Sequence, residues 1–280
     1  MTVANREQAD HWNSSEQADH WVTYQEEYDR MLGPFADLVL GAAALSPGER
    51  VLDVGCGCGS TTLAAARAVG RGDAVGVDLS APMLAKARAN AALAGLANAS
   101  FELGDAQDYQ FGRLFDVLIS RFGVMFFADP VAAFANMRAA TRSGGRLAFV
   151  CWQSLAANDW LTVAGGALAR HLPPPDPLEP GAPGMFALDE PGRILRILDD
   201  AGWRRVTVTP HEMPILVGGG VLDHAVAFVR HGSLGRRMLA GADAATQDRA
   251  IQALRDALAL HVGPDGVRLG AAVWLVQASA

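Results

Sequence analysis

The chain has 280 residues, 50% of them hydrophobic and 19% charged, with a formal net charge of −7. That is enough apolar material for one large domain, or one domain with a cap, and an acidic chain without a basic cluster disfavours a nucleic-acid partner. No uncharged apolar run is long enough to span a bilayer, and the polar, acidic first residues do not read as a secretory signal.

The N-terminal segment repeats one hexapeptide: Glu7-Gln8-Ala9-Asp10-His11-Trp12 returns as Glu16-Gln17-Ala18-Asp19-His20-Trp21. One repeat is not a solenoid. Trp21, Tyr24, Tyr28, Met31 and Leu32 fall at helical spacing, so the pattern predicts a helix over 15–32. A second helix over 34–44 leads into the Pro47-Gly48 turn.

A regular alternation follows. A strand over 51–54 runs into Gly55-Cys56-Gly57-Cys58-Gly59, and a helix opening at Ser60 stops at Gly70. A second strand, 74–77, ends on Asp78; Ser80 caps the next helix, which Gly95 closes. Strands over 99–103, 115–120 and 146–152 come next, with a helix from Pro130 to the 143–145 turn before the last of them. Strands alternating with helices argue a parallel, doubly wound α/β sheet. Beyond Trp152 the pattern loosens. Residues 153–186 hold a proline-rich loop that includes Pro173 to Pro177 and Pro180, a helix starts at Pro191, and 203–209 is a sixth strand. Residues 214–266 read as a mostly helical insertion and 270–278 as a last apolar strand.

The strand, glycine turn and helix start over 51–62 form the nucleotide-binding corner of such a sheet. Two details bear on which nucleotide. The third glycine of a dinucleotide fingerprint would fall at position 60, which is Ser60, and Asp53 places a carboxylate inside an apolar strand. An unpaired carboxylate there is costly, so it should face a cation or several donors. Cys56-x-Cys58 lacks further ligands at any metal-binding spacing, so no metal is expected. With Cys151 the cysteines are odd in number, which suits a reduced, cytoplasmic setting.

This arrangement resembles motif I of the class I S-adenosylmethionine (SAM)-dependent methyltransferases, and residues 50–152 most resemble their UbiE-like small-molecule group. Further matching pieces are Val77-Asp78-Leu79-Ser80 with Met83-Leu84, Gly104-Asp105-Ala106, Phe115-Asp116-Val117 and Ser143-Gly144-Gly145-Arg146. The resemblance implies a Rossmann-like, mostly parallel seven-stranded sheet with its last strand antiparallel between strands five and six. It implies a single domain over 1–280, with a helical lid over 1–46, a SAM-binding core over 47–152, and acceptor-site insertions over 153–186 and 214–266. The implied reaction is methyl transfer from SAM to a small organic acceptor, releasing S-adenosylhomocysteine (SAH), by a monomer or homodimer. A SAM sensor without turnover would carry the same donor site; an NAD-dependent oxidoreductase is disfavoured by Ser60 and Asp53.

By resemblance, Asp53, Gly55, Cys56 and Gly57 hold the methionine end of the donor. Asp78 takes the ribose hydroxyls, Asp105 with Gly104 and Ala106 reads the adenine, and Leu79 and Met83 line the ring. Ser120 borders the reacting methyl, and Trp21 and Tyr28 cover the donor. Ser120-Arg121-Phe122 stands where methyltransferases of nucleobase or glutamine amino groups place Asn/Asp-Pro-Pro-Tyr, which disfavours that subclass. Arg121 is the candidate to orient an acidic acceptor, against an ordinary rim salt bridge. His20 and His224 are candidate bases where an acceptor must lose a proton, against packed or surface histidines. Trp21, Tyr24 and Tyr28 form either a mobile lid or the core stripe of a packed helix.

Overall fold

The computed structural model of the protein describes residues 5–174, 179 and 181–280. Pro175, Asp176, Pro177 and Pro180 of the expected proline-rich loop lie outside the described residues. Three helices, α1 (Arg6–Asn13), α2 (Ser15–Thr23) and α3 (Gln25–Ala43), precede the sheet. Then come β1 (Arg50–Val54), α4 (Ser60–Val69), β2 (Asp73–Asp78), α5 (Ala81–Ala94), β3 (Ala99–Leu103) and β4 (Phe115–Arg121). They are followed by α6 (Pro130–Ala139), β5 (Thr141–Trp152), α7 (Asp159–Leu168), α8 (Pro191–Asp200) and β6 (Arg204–Val217). The last part holds α9 (Leu222–His231), α10 (Ser233–Leu239), α11 (Ala244–Ala259), the short β7 (Val262–Gly263) and β8 (Gly266–Ser279).

The sheet order is β3-β2-β1-β4-β5-β8-β6. β1 to β5 pair in parallel, and β8 runs antiparallel between β5 and β6, as the resemblance implied. The central strands are buried almost throughout: Val51, Leu52, Val75, Val117, Leu118, Ile119, Phe149 and Val150 are sealed from water. Near-continuous apolar strands are what helices on both sheet faces require. The eighth strand is the two-residue β7, which pairs only with β8.

Several elements differ from their sequence-based bounds: α1 has no counterpart in the sequence reading, α7 lies within the stretch read as a loop, and β8 starts at Gly266 rather than 270. The helix expected over 15–32 is split at Tyr24, whose backbone leaves the helical region at φ −96, ψ 22. The break expected before Pro34 is absent, and α3 runs straight through it. Met31, Leu32, Phe35, Val39 and Ala43 make one buried stripe on both sides of the proline, and that apolar burial outweighs one lost backbone bond. β5 begins five residues earlier than 146, because Thr141 pairs with Phe115 before the register shifts ahead of Arg146. β6 continues to Val217, so 214–217 is strand rather than helical insertion. Pro210 and Pro214 hid this in the sequence. β6 is the edge strand, where a residue without an N–H is tolerated.

The carboxyl ends of β1, β2 and β4 lie side by side, where ligands of open α/β sheets bind. Asp53 pairs with Ile119, so Asp53 and Arg121, two residues beyond Ile119, share one face of the sheet. Helix α4 lies on that face through Thr62, and α3 through Asp29.

Candidate active site

The turn after β1 is built from left-handed backbone at Gly55 (φ 69) and Gly57 (φ 54). A Cβ on Gly55 would fall 2.5 Å from the Cα of Gly123, so this position also needs glycine for packing. Gly57 differs. A Cβ there would meet only the Met83 sulfur, at 3.9 Å, which leaves its backbone open to a ligand resting above buried Met83. Cys56 points the other way, into a small cluster with Leu63, Leu84 and Phe101. Burial pushes the Cys56 thiol up, and the Cys58 thiol to about 12, so neither is a thiolate at neutral pH.

Asp53 is 1% exposed and accepts a 2.6 Å hydrogen bond from the Thr62 hydroxyl. Burial pushes its carboxyl up to about 6, while the Thr62 hydroxyl and the Arg121 cation pull it back. Asp78 closes β2. One of its oxygens accepts from the Gly57 N–H and the other from the Ser80 N–H, each at 2.8 Å. This ties the glycine turn to the start of α5, where the Ser80 hydroxyl caps the Met83 N–H. Burial raises the Asp78 carboxyl as well.

Asp105 follows Gly104, whose hydrogen side lies against the Tyr109 ring. The Asp105 carboxylate accepts from the backbone N–H groups of Gln107 and Asn5, both at 3.0 Å, and burial raises it. Ala106 is buried beside it, and its carbonyl accepts from Asn136. The N-terminal helices thus reach the site directly. Asn13 donates to the Leu79 carbonyl at 2.8 Å and accepts from the Ala81 N–H at 3.0 Å, clamping α1 onto the loop beyond Asp78.

Ser120 is fully buried; its hydroxyl donates to the Val54 carbonyl at 2.7 Å and accepts from the Gly123 N–H at 3.1 Å. It locks the ends of β1 and β4 together. Phe122 next door has φ 65, an uncommon conformation for a non-glycine residue, and stacks on Trp152 with ring centres 4.1 Å apart. The Arg121 side chain is 13% exposed, and its guanidinium lies 3.7 Å from the carboxylate of Asp29, whose side chain is 32% exposed.

Trp21 and Tyr28 stack at 3.8 Å, and Tyr28 packs edge-on against Phe228 of α9 at 5.0 Å. The expected aromatic cluster forms, with its rings packed on one another and on the insertion. His20 Nε2 lies 3.0 Å from the Tyr28 hydroxyl. Burial first, then the Arg236 cation, lower His20 to about 4, so it is neutral at pH 7. His224 is not brought to the site. It is exposed on the first turn of α9, because the opposite face of that helix buries Ala225, Val226 and Phe228. Among the described residues no cluster of three or more His, Cys, Asp or Glu side chains fits a metal ion, and no helix is long and apolar enough to cross a membrane.

Asn5, Asn13, Asp29 and Thr62 escaped the sequence reading. Thr62 sits two residues into the helix after the glycine turn, on the face turned to β1, which periodicity could have shown. Asn13 lies in the segment that resembles the start of relatives, while Asn5, before α1, and Asp29, in α3, carry no signal to set them apart.

A family model described as a methyltransferase domain matches residues 51–145, the stretch that holds the glycine turn, Asp78 and Asp105. Residues 51–145 are thus similar to methyltransferase domains. Over 134 residues the chain is 40% identical to an aklanonic acid methyltransferase from Streptomyces sp. strain C5, covering 45% of this chain and 61% of that protein. It is 37% identical over 116 residues to a nocamycin O-methyltransferase from Saccharothrix syringae, 41% of each chain. The chain therefore spans less than two thirds of the length of these curated relatives. A solved phosphoethanolamine N-methyltransferase 2 from Haemonchus contortus, in complex with phosphomonomethylethanolamine and SAH, shares the fold. Its TM-score is 0.59 at 17% identity, over 99% of this chain and 60% of that one. The fold around these residues is Rossmann-like, with the antiparallel β8 inserted beside β5.

Proposed function

We propose that the protein is a SAM-dependent methyltransferase acting on a small organic acceptor. The observation that carries this reading is the cradle between β1 and β2: the open backbone of Gly57 above Met83, joined through its N–H to the Asp78 carboxylate. Each Asp78 oxygen uses one lone pair on a backbone N–H and keeps another for a ribose hydroxyl. Asp105 stands ready for the adenine amino group, with Leu79 and Met83 along the ring. The residues present therefore fit SAM, which supplies a methyl group on a sulfonium and leaves as SAH. What the protein adds is alignment of donor and acceptor.

Where the acceptor must give up a proton, His20 is the base that the N-terminal helices offer. Lowered to about 4, it serves only acceptors whose proton is already acidic, such as carboxylic acids. The relatives named for aklanonic acid and for O-methylation of nocamycin support a small organic acceptor, in one case an acid and in the other an oxygen. Calorimetry tests the donor reading: SAM and SAH should bind at micromolar strength and NAD not at all. Tight NAD binding, or no SAM binding, overturns it.

The chain works as a single domain in the cytoplasm, as a monomer or homodimer, with residues 1–46 as lid, 47–152 as core, and 153–186 with 218–266 as acceptor cap. The Asn5–Asp105 and Asn13–Leu79 bonds support the lid, since a bound donor would lie beneath them. SAH should protect the segment from Arg6 to Tyr24 against limited proteolysis. Equal cleavage with and without SAH, read by mass spectrometry, refutes the lid. Arg236 supports the cap by binding Glu16 and Gln17 of α2 from α10. Grafting both insertions from a relative of known acceptor should move acceptor preference and leave SAH affinity unchanged. Preference that stays with the core refutes the cap.

A further inference from the structure

We propose that Asp29 and Arg121 together form a receptor for the amino-acid end of the donor, Arg121 taking its α-carboxylate and Asp29 its α-ammonium. This rests on the donor reading above and revises two expectations: that Asp53 holds this end directly, and that Arg121 orients the acceptor.

Asp53 is poorly placed for a ligand. It is 1% exposed, and the hydroxyl of Thr62 already occupies one of its oxygens. Its charge is felt nearby, but its atoms are turned into the fold. The charged groups that do reach the surface of this corner are Arg121, at the end of β4, and Asp29, one turn into α3. Their separation is 3.7 Å, longer than a charge-assisted hydrogen bond of about 2.7–2.9 Å. Among the described residues the Arg121 guanidinium makes no hydrogen bond within 3.5 Å, and this ion pair is its one charged contact. Of the Asp29 oxygens, one accepts from Gln25 at 3.1 Å and the other faces Arg121.

A nearly buried guanidinium with its forked donors unspent suits a planar carboxylate, which it can bind through two parallel bonds. The half-exposed carboxylate beside it suits an ammonium group. Opposite charges set side by side complement a zwitterion, whose two charged groups are carried on one carbon. They do not complement an acceptor with a single acidic oxygen, which Asp29 would repel. Location agrees: Asp53 and Arg121 share the sheet face beneath α3, across the Gly55–Gly57 turn from Asp78. A nucleoside whose ribose lies on Asp78 would extend its tail toward this pair. The loose contact in the free protein is then exchanged for two closer ones, one to each end of the zwitterion.

Calorimetric titration of the full chain tests this with three nucleosides. SAH carries both charges, decarboxylated SAM keeps the ammonium and lacks the carboxylate, and 5′-methylthioadenosine lacks both. Arg121→Gln should weaken SAH binding roughly 10- to 100-fold and leave the other two ligands unchanged. Asp29→Asn should weaken SAH and decarboxylated SAM by the same factor, roughly 10-fold, and leave 5′-methylthioadenosine unchanged. Arg121→Lys should recover part of the SAH loss. Unchanged 5′-methylthioadenosine binding also certifies that each variant is folded. Variants that weaken all three ligands alike, or none, overturn the proposal while the donor reading stands. Wild-type protein that binds none of the three overturns both.

Discussion

Replacing Asp78 with alanine should weaken SAH binding by about 2–3 kcal/mol, roughly 30- to 150-fold. Two losses combine. The ribose hydroxyls lose a charged acceptor, and the N–H groups of Gly57 and Ser80 lose the carboxylate that holds the glycine turn against the start of α5. The second loss loosens the cradle even before ligand arrives. Asp78→Asn separates the two. An amide keeps one acceptor and the shape of the side chain, so it should fall between wild type and alanine. 5′-Methylthioadenosine should lose affinity in parallel with SAH, because the ribose is common to both. Calorimetry that finds equal SAH affinity for wild type and Asp78→Ala removes Asp78 from the donor site.

The second large effect is on stability, and its sign follows from Asp53. The carboxyl of Asp53 titrates near 6 in the folded protein, against an ordinary value of 3.8. A group raised in this way favours the folded state while protonated and opposes it once ionised. Stability from this group is therefore present below about pH 4 and is lost as pH rises from 4 to 6, with no further change above. The shift of about two pH units amounts to about 3 kcal/mol. Other carboxylates titrate oppositely: Asp116 is lowered by hydrogen bonds from the Arg50 N–H and Arg142, and Glu49 chiefly by Arg146. The wild-type curve alone is therefore a mixture. The difference between Asp53→Asn and wild type isolates the site. The variant should gain on wild type by about 3 kcal/mol between pH 4 and pH 6 and run parallel to it from pH 7 to 8. Urea denaturation at each pH measures this, and a difference that stays constant from pH 4 to 8 contradicts the assignment.

The core of the fold was legible because its signals are local. Glycines after β1, an aspartate at the end of β2 and a serine cap on α5 each specify a turn on their own, the alternation with helices argues a parallel sheet, and the strand arrangement follows from the family resemblance. The bounds that failed are those set by distant partners. β6 reads as ending before Pro210, since nothing in that stretch reveals an edge position beside β8. α3 reads as broken at Pro34, since the stripe from Met31 to Ala43 counts only once β4 and β5 lie beneath it. The site divides in the same way. Asp78 closes β2 and Asp105 follows β3, so their place at strand ends was legible from the alternation. Ser120 stands at a strand end too, but with side chains alternating it faces the opposite way from Arg121 and spends its hydroxyl on Val54. Asp29, Asn5 and Asn13 come from helices far away in sequence, and only the packing of the N-terminal segment brings them to the strand ends.

The most direct measurement is turnover: purified protein, SAM and a panel of small phenolic, enolic and carboxylic acceptors, with SAH and methylated product quantified by mass spectrometry. A methyltransferase releases SAH and methylated acceptor in equal amounts with at least one member of the panel, and Asp78→Ala reduces both together. SAM that binds at micromolar strength yet stays intact with every acceptor would contradict methyl transfer and leave a protein that binds the donor without using it.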